Sequence, residues 1–262
     1  MTTTTRARCG LIIASLLVLG SVPSAMAQAL LDDAFLTTDA GSSGSSKTLW
    51  TTSIVGTGDV SRGQGVLTLR ATGAEWANTN LLGTLRPDLL FFDRAVTLKV
   101  TGIGIVSKGS APDQQRLRCA IASESKSPYE ATSAVGFVVY ADGYVQLGYK
   151  SAAPSDKPAD PETVNVLQSI RFPGSVRNVW LTVGATDYAL RVEHEPAGGG
   201  ALVTETRSGR FVDKGPGLNR ADWADGCAVV IQGQKAQGPI DAEVSATVSR
   251  ITVEPAPTTG KN

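Results

Sequence analysis

The chain is short of the residues that most site chemistries require. It has one histidine, His194, three cysteines, and no excess of either charge, since 24 Lys and Arg balance 24 Asp and Glu over 262 residues. One imidazole cannot build a histidine-rich transition-metal centre, which needs several nitrogen or thiolate ligands. An even charge gives no general attraction to nucleic acid or to an anionic membrane surface. Aromatic residues are sparse at 6%, so each exposed ring has more weight as a contact candidate. Motifs are missing as well. There is no Gly-x-Ser-x-Gly nucleophile elbow, no phosphate-cradling glycine loop, and no fixed-period repeat of the propeller or solenoid kind.

What is present points to strands and turns. Twenty-eight Gly and 13 Pro supply many tight turns, while 42% hydrophobic residues suffice for a large core. The N-terminal 27 residues read as an export leader. Arg6 and Arg8 precede the apolar run 10–19, and Ala25-Met26-Ala27 forms a small-residue cleavage box of bacterial type. The expected mature chain starts at Gln28 and is secreted or periplasmic. The apolar run is too short for a comfortable membrane span and no second one follows, so no stable membrane insertion is expected. Loss of the leader removes Cys9 and leaves Cys119 and Cys227. Both lie on the apolar side of alternating segments, and an oxidising compartment favours a Cys119–Cys227 disulfide over two buried thiols.

Residues 28–50 read as a linker-like lead-in containing the Gly/Ser-rich stretch 41–46. About ten short strands are then expected, including 66–70, 95–100, 116–123, 227–233 and one long segment over 244–253. Two hairpins stand out: 135–140 with 144–149 across Asp142-Gly143, and 179–183 with 188–194. Only 165–170 and 87–90 suggest a helical turn. The expectation is an all-β, two-sheet antiparallel β-sandwich over 28–254, with a flexible tail at 255–262.

Several segments carry a family resemblance. Asp32-Asp33-Ala34-Phe35, a following Trp50, and Gly65-Val66-Leu67-Thr68-Leu69 are succeeded by Phe137-Val138-Val139-Tyr140 before Asp142-Gly143. Val179-Trp180-Leu181-Thr182-Val183, Tyr188-Ala189-Leu190-Arg191-Val192 and Ile251-Thr252-Val253 complete the order. The pattern resembles the concanavalin A-like lectin/glucanase superfamily, the laminin G-like jelly roll. The resemblance covers residues 31–254 by strand order and implies two antiparallel sheets with a concave, carbohydrate-facing side. It also allows a structural calcium ion, for which Asp32, Asp33 or Asp241 would be donors. No metal site is assigned and no other cofactor is expected.

The superfamily includes binding modules, hydrolases, lyases and structural domains, so function must come from residues. The Glu-x-Asp-x-x-Glu strand of its hydrolases is absent. Glu193-His194-Glu195 is the nearest substitute. Alternation places both carboxylates beside Arg191 on a solvated face and His194 with Leu190 and Val192, as a packed, hydrogen-bonded ring. A two-residue Asp142-Gly143 turn would set Tyr140 opposite Val145 in the core, leaving Phe137, Tyr144 and Gln146 outside. Arg116, Arg118 and Gln232 would share that outer face, a set suited to sugars: rings for C–H faces, planar polar groups for hydroxyls. Trp76 and Trp223 fall in loop-like segments, where each could line a groove or cap the core.

The leading expectation is a non-catalytic, exported carbohydrate-binding module whose partner is a polysaccharide or glycan. Two alternatives stay open: a polysaccharide hydrolase or lyase with an atypical site, with Tyr144 as base near Arg116 or Arg118, and a structural or protein-binding surface domain.

Overall fold

The computed structural model describes residues 30–36, 50–85, 92–109, 115–126, 131–151, 164–224 and 226–256. The leader, the Gly/Ser stretch 41–46, the segment 87–90 and the tail from 257 lie outside the described residues. Strands are numbered in chain order. A six-stranded sheet runs β1 (Leu31–Asp33), β17 (Arg250–Pro255), β6 (Val96–Thr101), β12 (Gly174–Val183), β13 (Asp187–Pro196), β14 (Val203–Arg210). A seven-stranded sheet runs β11 (Asn165–Arg171), β10 (Tyr144–Lys150), β9 (Ala134–Tyr140), β8 (Gln115–Ala122), β15 (Ala228–Lys235), β5 (Ala77–Thr84), β2 (Trp50–Val55). A smaller sheet runs β3 (Thr57–Gly63), β4 (Val66–Thr72), β16 (Glu243–Val248), β7 (Gly104–Lys108). Every pairing is antiparallel.

The period-two pattern of the sequence produces the sandwich. Leu98 and Val100, Val179 and Leu181, and Leu190 and Val192 form the inner face of the six-stranded sheet. Leu117 and Ile121, Val145 and Leu147, and Val229 and Ile231 meet them from the seven-stranded one. Each such side chain contributes about 1.5–3 kcal/mol on leaving water. Leu67, Leu69, Ala246 and Val248 of the small sheet close one end of the same core. Two strand pairs bend from one sheet into another side by side. β6 passes to β7 at Gly102, which has φ +67°, and β16 passes to β17 at Ser249. A Cβ on Gly102 would lie 2.2 Å from Ser249 Oγ, so the corner requires glycine. The segment expected as one strand over 244–253 is therefore two strands in different sheets.

The lead-in is also structured at its start. Leu31–Asp33 pairs with β17, and Asp33 accepts hydrogen bonds from Trp50 Nε1 and Phe35 N, each at 2.7 Å. Residues 165–170, expected as a helical turn, form edge strand β11, because pairing with β10 satisfies their backbone and buries Leu167.

Two further expectations are corrected. No disulfide joins Cys119 and Cys227, although both side chains are buried. Cys119 pairs with Ile231, four residues along the chain from Cys227. That separation is about 13 Å at ~3.3 Å per residue, beyond the ~7 Å that a disulfide can bridge. Alternation put both sulfurs on the same side, but register set them apart.

The other correction concerns the β9–β10 hairpin. Its turn has three residues, with Val139 opposite Val145, Val138 opposite Gln146 and Phe137 opposite Leu147. Gly143 sits at φ +82° and donates to Tyr140 O at 3.1 Å, while Asp142 Oδ1 accepts from Tyr144 N at 3.2 Å. This is a type I turn followed by a left-handed glycine. The single added residue reverses the faces of β9. Phe137 is fully buried in the core, and Tyr140 lies outside.

Phe137→Ala should therefore lower unfolding stability by about 3–5 kcal/mol, and Tyr144→Ala by much less; chemical denaturation of the two variants decides the register. Burial raises both thiol pKa values, that of Cys227 to about 12. A maleimide reagent at mildly alkaline pH should spare both thiols in the folded protein. Without reductant it should label both after denaturation; labelling of neither would establish the disulfide.

Candidate functional site

The outer face of the seven-stranded sheet is organised in rows across the strands. At the β9–β10 turn end, register aligns Gln234, Arg116 and Tyr140, and Tyr144 with Arg171. The next row holds Asn80, Gln232, Arg118, Val138 and Gln146. The third holds Leu82, Val230, Ala120, Gly136 and Gly148. Polar and aromatic side chains thus stand at one end, and small residues at the middle.

Those small residues make a floor. A cleft of about 190 Å³ lies over Ala120, Gly136 and Gly148, bordered by Arg118, Gln146 and Lys150. Side chains could not be added here without loss. A Cβ on Gly136 would come within 2.4 Å of Cys119 O, and one on Gly148 within 2.7 Å of Val164 Cγ1. A second hollow of about 340 Å³ lies at the turn between Tyr140, Tyr144, Asp142 and Arg171.

The ring pair in that hollow is held from both sides. Tyr140 and Tyr144 have ring centroids 5.3 Å apart with planes at 53°, and both stay half-exposed. The Arg116 guanidinium lies 5.7 Å from the Tyr140 centroid, and its Nη1 donates to Tyr140 OH at 3.3 Å. Arg116 Nε donates to Gln234 Oε1, and Arg171 pairs with Asp142. Two tilted rings beside planar donors form a platform for the C–H face of a pyranose, with hydroxyl partners along its edge.

Beyond the Lys150 end, the two ends of the β8–β9 connection meet, with Ser123 N donating to Ser133 O at 2.9 Å and Ser133 Oγ to Lys150 O at 2.8 Å. Ala131 from this loop packs with Leu82, Ala122, Ala134 and Val230 in a second small apolar cluster on the outer face. Glu124 secures the loop, accepting from Thr132 Oγ1 at 2.6 Å and pairing with Lys126 at 2.5 Å. These bonds, the Lys126 contact foremost, hold the Glu124 carboxyl down at about 2. Burial lowers the Lys150 pKa, and Glu124 partly opposes that shift.

Of the residues expected to bind, Arg116, Arg118 and Gln146 line this cleft and Tyr144 lines the hollow at the turn. Phe137 does not, since it faces the core. Gln232 shares the outer face but is 0% exposed, with its Nε2 bound to Asn80 Oδ1 at 2.7 Å. Tyr140, Arg171 and Lys150 were missed. Reading Tyr140-Ala141-Asp142-Gly143 as a three-residue turn would have found Tyr140. Trp76 is exposed, whereas Trp223 is buried in the core.

The carboxylates and the histidine lie elsewhere. Glu193 accepts from Asn178 Nδ2 at 2.8 Å and pairs with Arg191 at 2.6 Å, and Glu195 pairs with Arg177 at 2.6 Å, all on the six-stranded sheet. His194 is buried with its ring 4.9 Å from that of Phe172, and its Nδ1 has no hydrogen-bond partner. Among the described residues no three His, Cys, Asp or Glu side chains are grouped to hold a metal. Asp32 is paired with Arg250, and Asp33 with the Trp50 and Phe35 donors.

Solved structures share this architecture. The seed lectin of Lotus tetragonolobus aligns with a TM-score of 0.51 at 8% identity, over 86% of this chain and 97% of its own. The CBM2 module of the evolved Dit of Lactobacillus casei BL23 phage J-1 aligns with a TM-score of 0.50 at 9% identity, over 87% and 95%. The chain has the concanavalin A-like jelly-roll fold. No family model matches it, and no curated protein sequence does.

In this jelly roll the Glu124 clasp gives a pH signature. Its folded pKa lies below the ordinary 4.5, so its contribution is complete above 4.5 and is lost as pH falls toward 2. With Lys126 largely exposed, the contribution is about 1 kcal/mol or less. Glu124→Gln should lower the melting temperature slightly at pH 7 and leave it equal to the parent near pH 2, measured by thermal scans across that range.

Proposed function

We propose that this chain is an exported, non-catalytic module that binds carbohydrate in the cleft on the outer face of the seven-stranded sheet. The observation that carries the reading is the Tyr140–Tyr144 ring pair, braced by Arg116 and set beside a floor of small residues. Such a floor lets a flat sugar chain lie close to the backbone while the rings cover its apolar faces. The fold supports the reading by analogy, since one aligned structure is a lectin and the other a CBM2 module by name. The leader over 1–27 supports export, and the protein recovered outside the cytoplasm should begin at Gln28.

The test is retention on a panel of neutral and acidic polysaccharides, followed together with release of new chain ends. Retention without product is expected. Tyr144→Ala should weaken retention at least about tenfold, equivalent to ~1.4 kcal/mol, with an unchanged far-ultraviolet circular dichroism spectrum. Unchanged retention in that variant removes the platform as the site, and steady release of ends makes the protein an enzyme.

A further inference from the structure

Trp50 and Trp223 are buried, whereas Trp76 stays 39% exposed. An exposed indole is a large apolar surface left in water, and this one sits just before β5. The β5–β15 register continues past the strands there, with Gly238 N donating to Ala74 O at 2.9 Å and Gln237 Nε2 to Glu75 Oε2 at 3.3 Å. Trp76 therefore stands two positions from Asn78 on the same outer side of the seven-stranded sheet. Asn78 belongs to the row that runs through Gln234 and Arg116 to Tyr140. Three strand spacings of ~4.8 Å along that row and two residues along β5 set Trp76 and Tyr140 about 16 Å apart at the backbone.

Carboxamides lie between these rings. Asn78, Asn80, Gln232 and Gln234 come from β5 and β15, and none is more than 3% exposed. Hydrogen bonds fix the orientation of the second-row pair. Ser53 O can only accept, so Asn80 turns Nδ2 to it at 3.0 Å and receives Gln232 Nε2 on Oδ1 at 2.7 Å. Gln232 Oε1 is left over, and among the described residues neither it nor Asn78 Oδ1 has a donor. A buried carbonyl without a donor destabilises the fold, so each of these oxygens is a seat for a donating group from outside.

Resting on the carbohydrate reading, we infer that the ligand is a long neutral glycan that continues from the Tyr140–Tyr144 pair across β8 and β15 to Trp76. Its hydroxyls donate to Asn78 Oδ1 and Gln232 Oε1, directly or through one water. Carboxylate and sulfate oxygens only accept, so they would meet these carbonyls unfavourably. Trp76 covers an apolar sugar face at one end, as the tyrosines do at the other. Spacing sets the length preference, because aromatic contacts about 16 Å apart are bridged by several linked sugars and not by one. Joining both contacts on one chain raises affinity beyond that of either alone.

Affinity electrophoresis of the purified protein tests this in gels containing glucomannan, xyloglucan, dextran or polygalacturonate. At least one neutral polymer should retard the protein about tenfold more strongly than polygalacturonate. Trp76→Ala should weaken that retardation about tenfold and leave the melting temperature unchanged. Asn78→Leu should weaken it without lowering the melting temperature, because an apolar side chain of similar shape removes an unmet acceptor. A lower melting temperature in that variant assigns Asn78 to the fold and removes it from the ligand. Arg191→Gln on the other face should change nothing. Fragments of the retained polymer should compete better as they lengthen, hexasaccharides about tenfold better than disaccharides. Equal competition by disaccharides, or full retardation of Trp76→Ala, overturns the extended path; a defect in Tyr144→Ala then still upholds the carbohydrate reading. Stronger retardation by polygalacturonate overturns the neutral ligand. Failure of every polymer removes the carbohydrate reading itself.

Discussion

Gly143 holds the left-handed backbone on which the geometry of the candidate site depends. At φ +82°, a conformation costly for side chains other than glycine, it completes a three-residue turn and fixes how β9 faces β10. Its carbonyl accepts from Phe172 N at 3.0 Å, at the point where the chain leaves the seven-stranded sheet for the six-stranded one. A Cβ there would lie 2.5 Å from Gly174 O and 2.7 Å from Phe172 O. One residue thus joins the hairpin register to the crossover between layers. Because strand side chains alternate, that register sends Phe137 inward and Tyr140 outward in one step.

The rest of the site follows from what the inner face leaves over. Large apolar side chains of β8, β9 and β10 are spent on the core, and the opposite positions carry Ala120, Gly136 and Gly148. Small residues at three adjacent ladder positions lower the surface into a cleft. The Glu124 clasp and the Ala131 cluster hold the ends of the β8–β9 connection to the sheet. Arg116, Arg118 and the two tyrosines then project over the rim. The candidate surface is therefore built on paired strands, which hold side-chain positions more rigidly than loops do.

The two cysteines show how alternation can inform and mislead at once. Their parity was readable and correct, since both sulfurs face inward. Whether they meet depends on which residues of β8 and β15 stand opposite each other, and the ladder pairs Cys119 with Ile231. The same distinction covers Gln232. Its parity places it on the outer face, but its amide is enclosed and bound to Asn80, a neighbour 152 positions away in the chain.

Local patterning was enough to identify an all-β sandwich, the main strand sequence, the placement of Glu193 and Glu195 on the face opposite the core, and four of the residues lining the two hollows. These properties depend on period-two alternation and turn chemistry, which act over a few residues. Register, sheet membership and the small-residue floor were decided only in the tertiary structure. The corner at Ser249 and the alignment of Arg116 with Gln234 each need strands distant in sequence to be set side by side, while the reversal of Phe137 and Tyr140 turned on one residue in a hairpin turn. A slip of one residue in that pairing exchanges the two faces, so hydrophobic pattern alone could not choose between them.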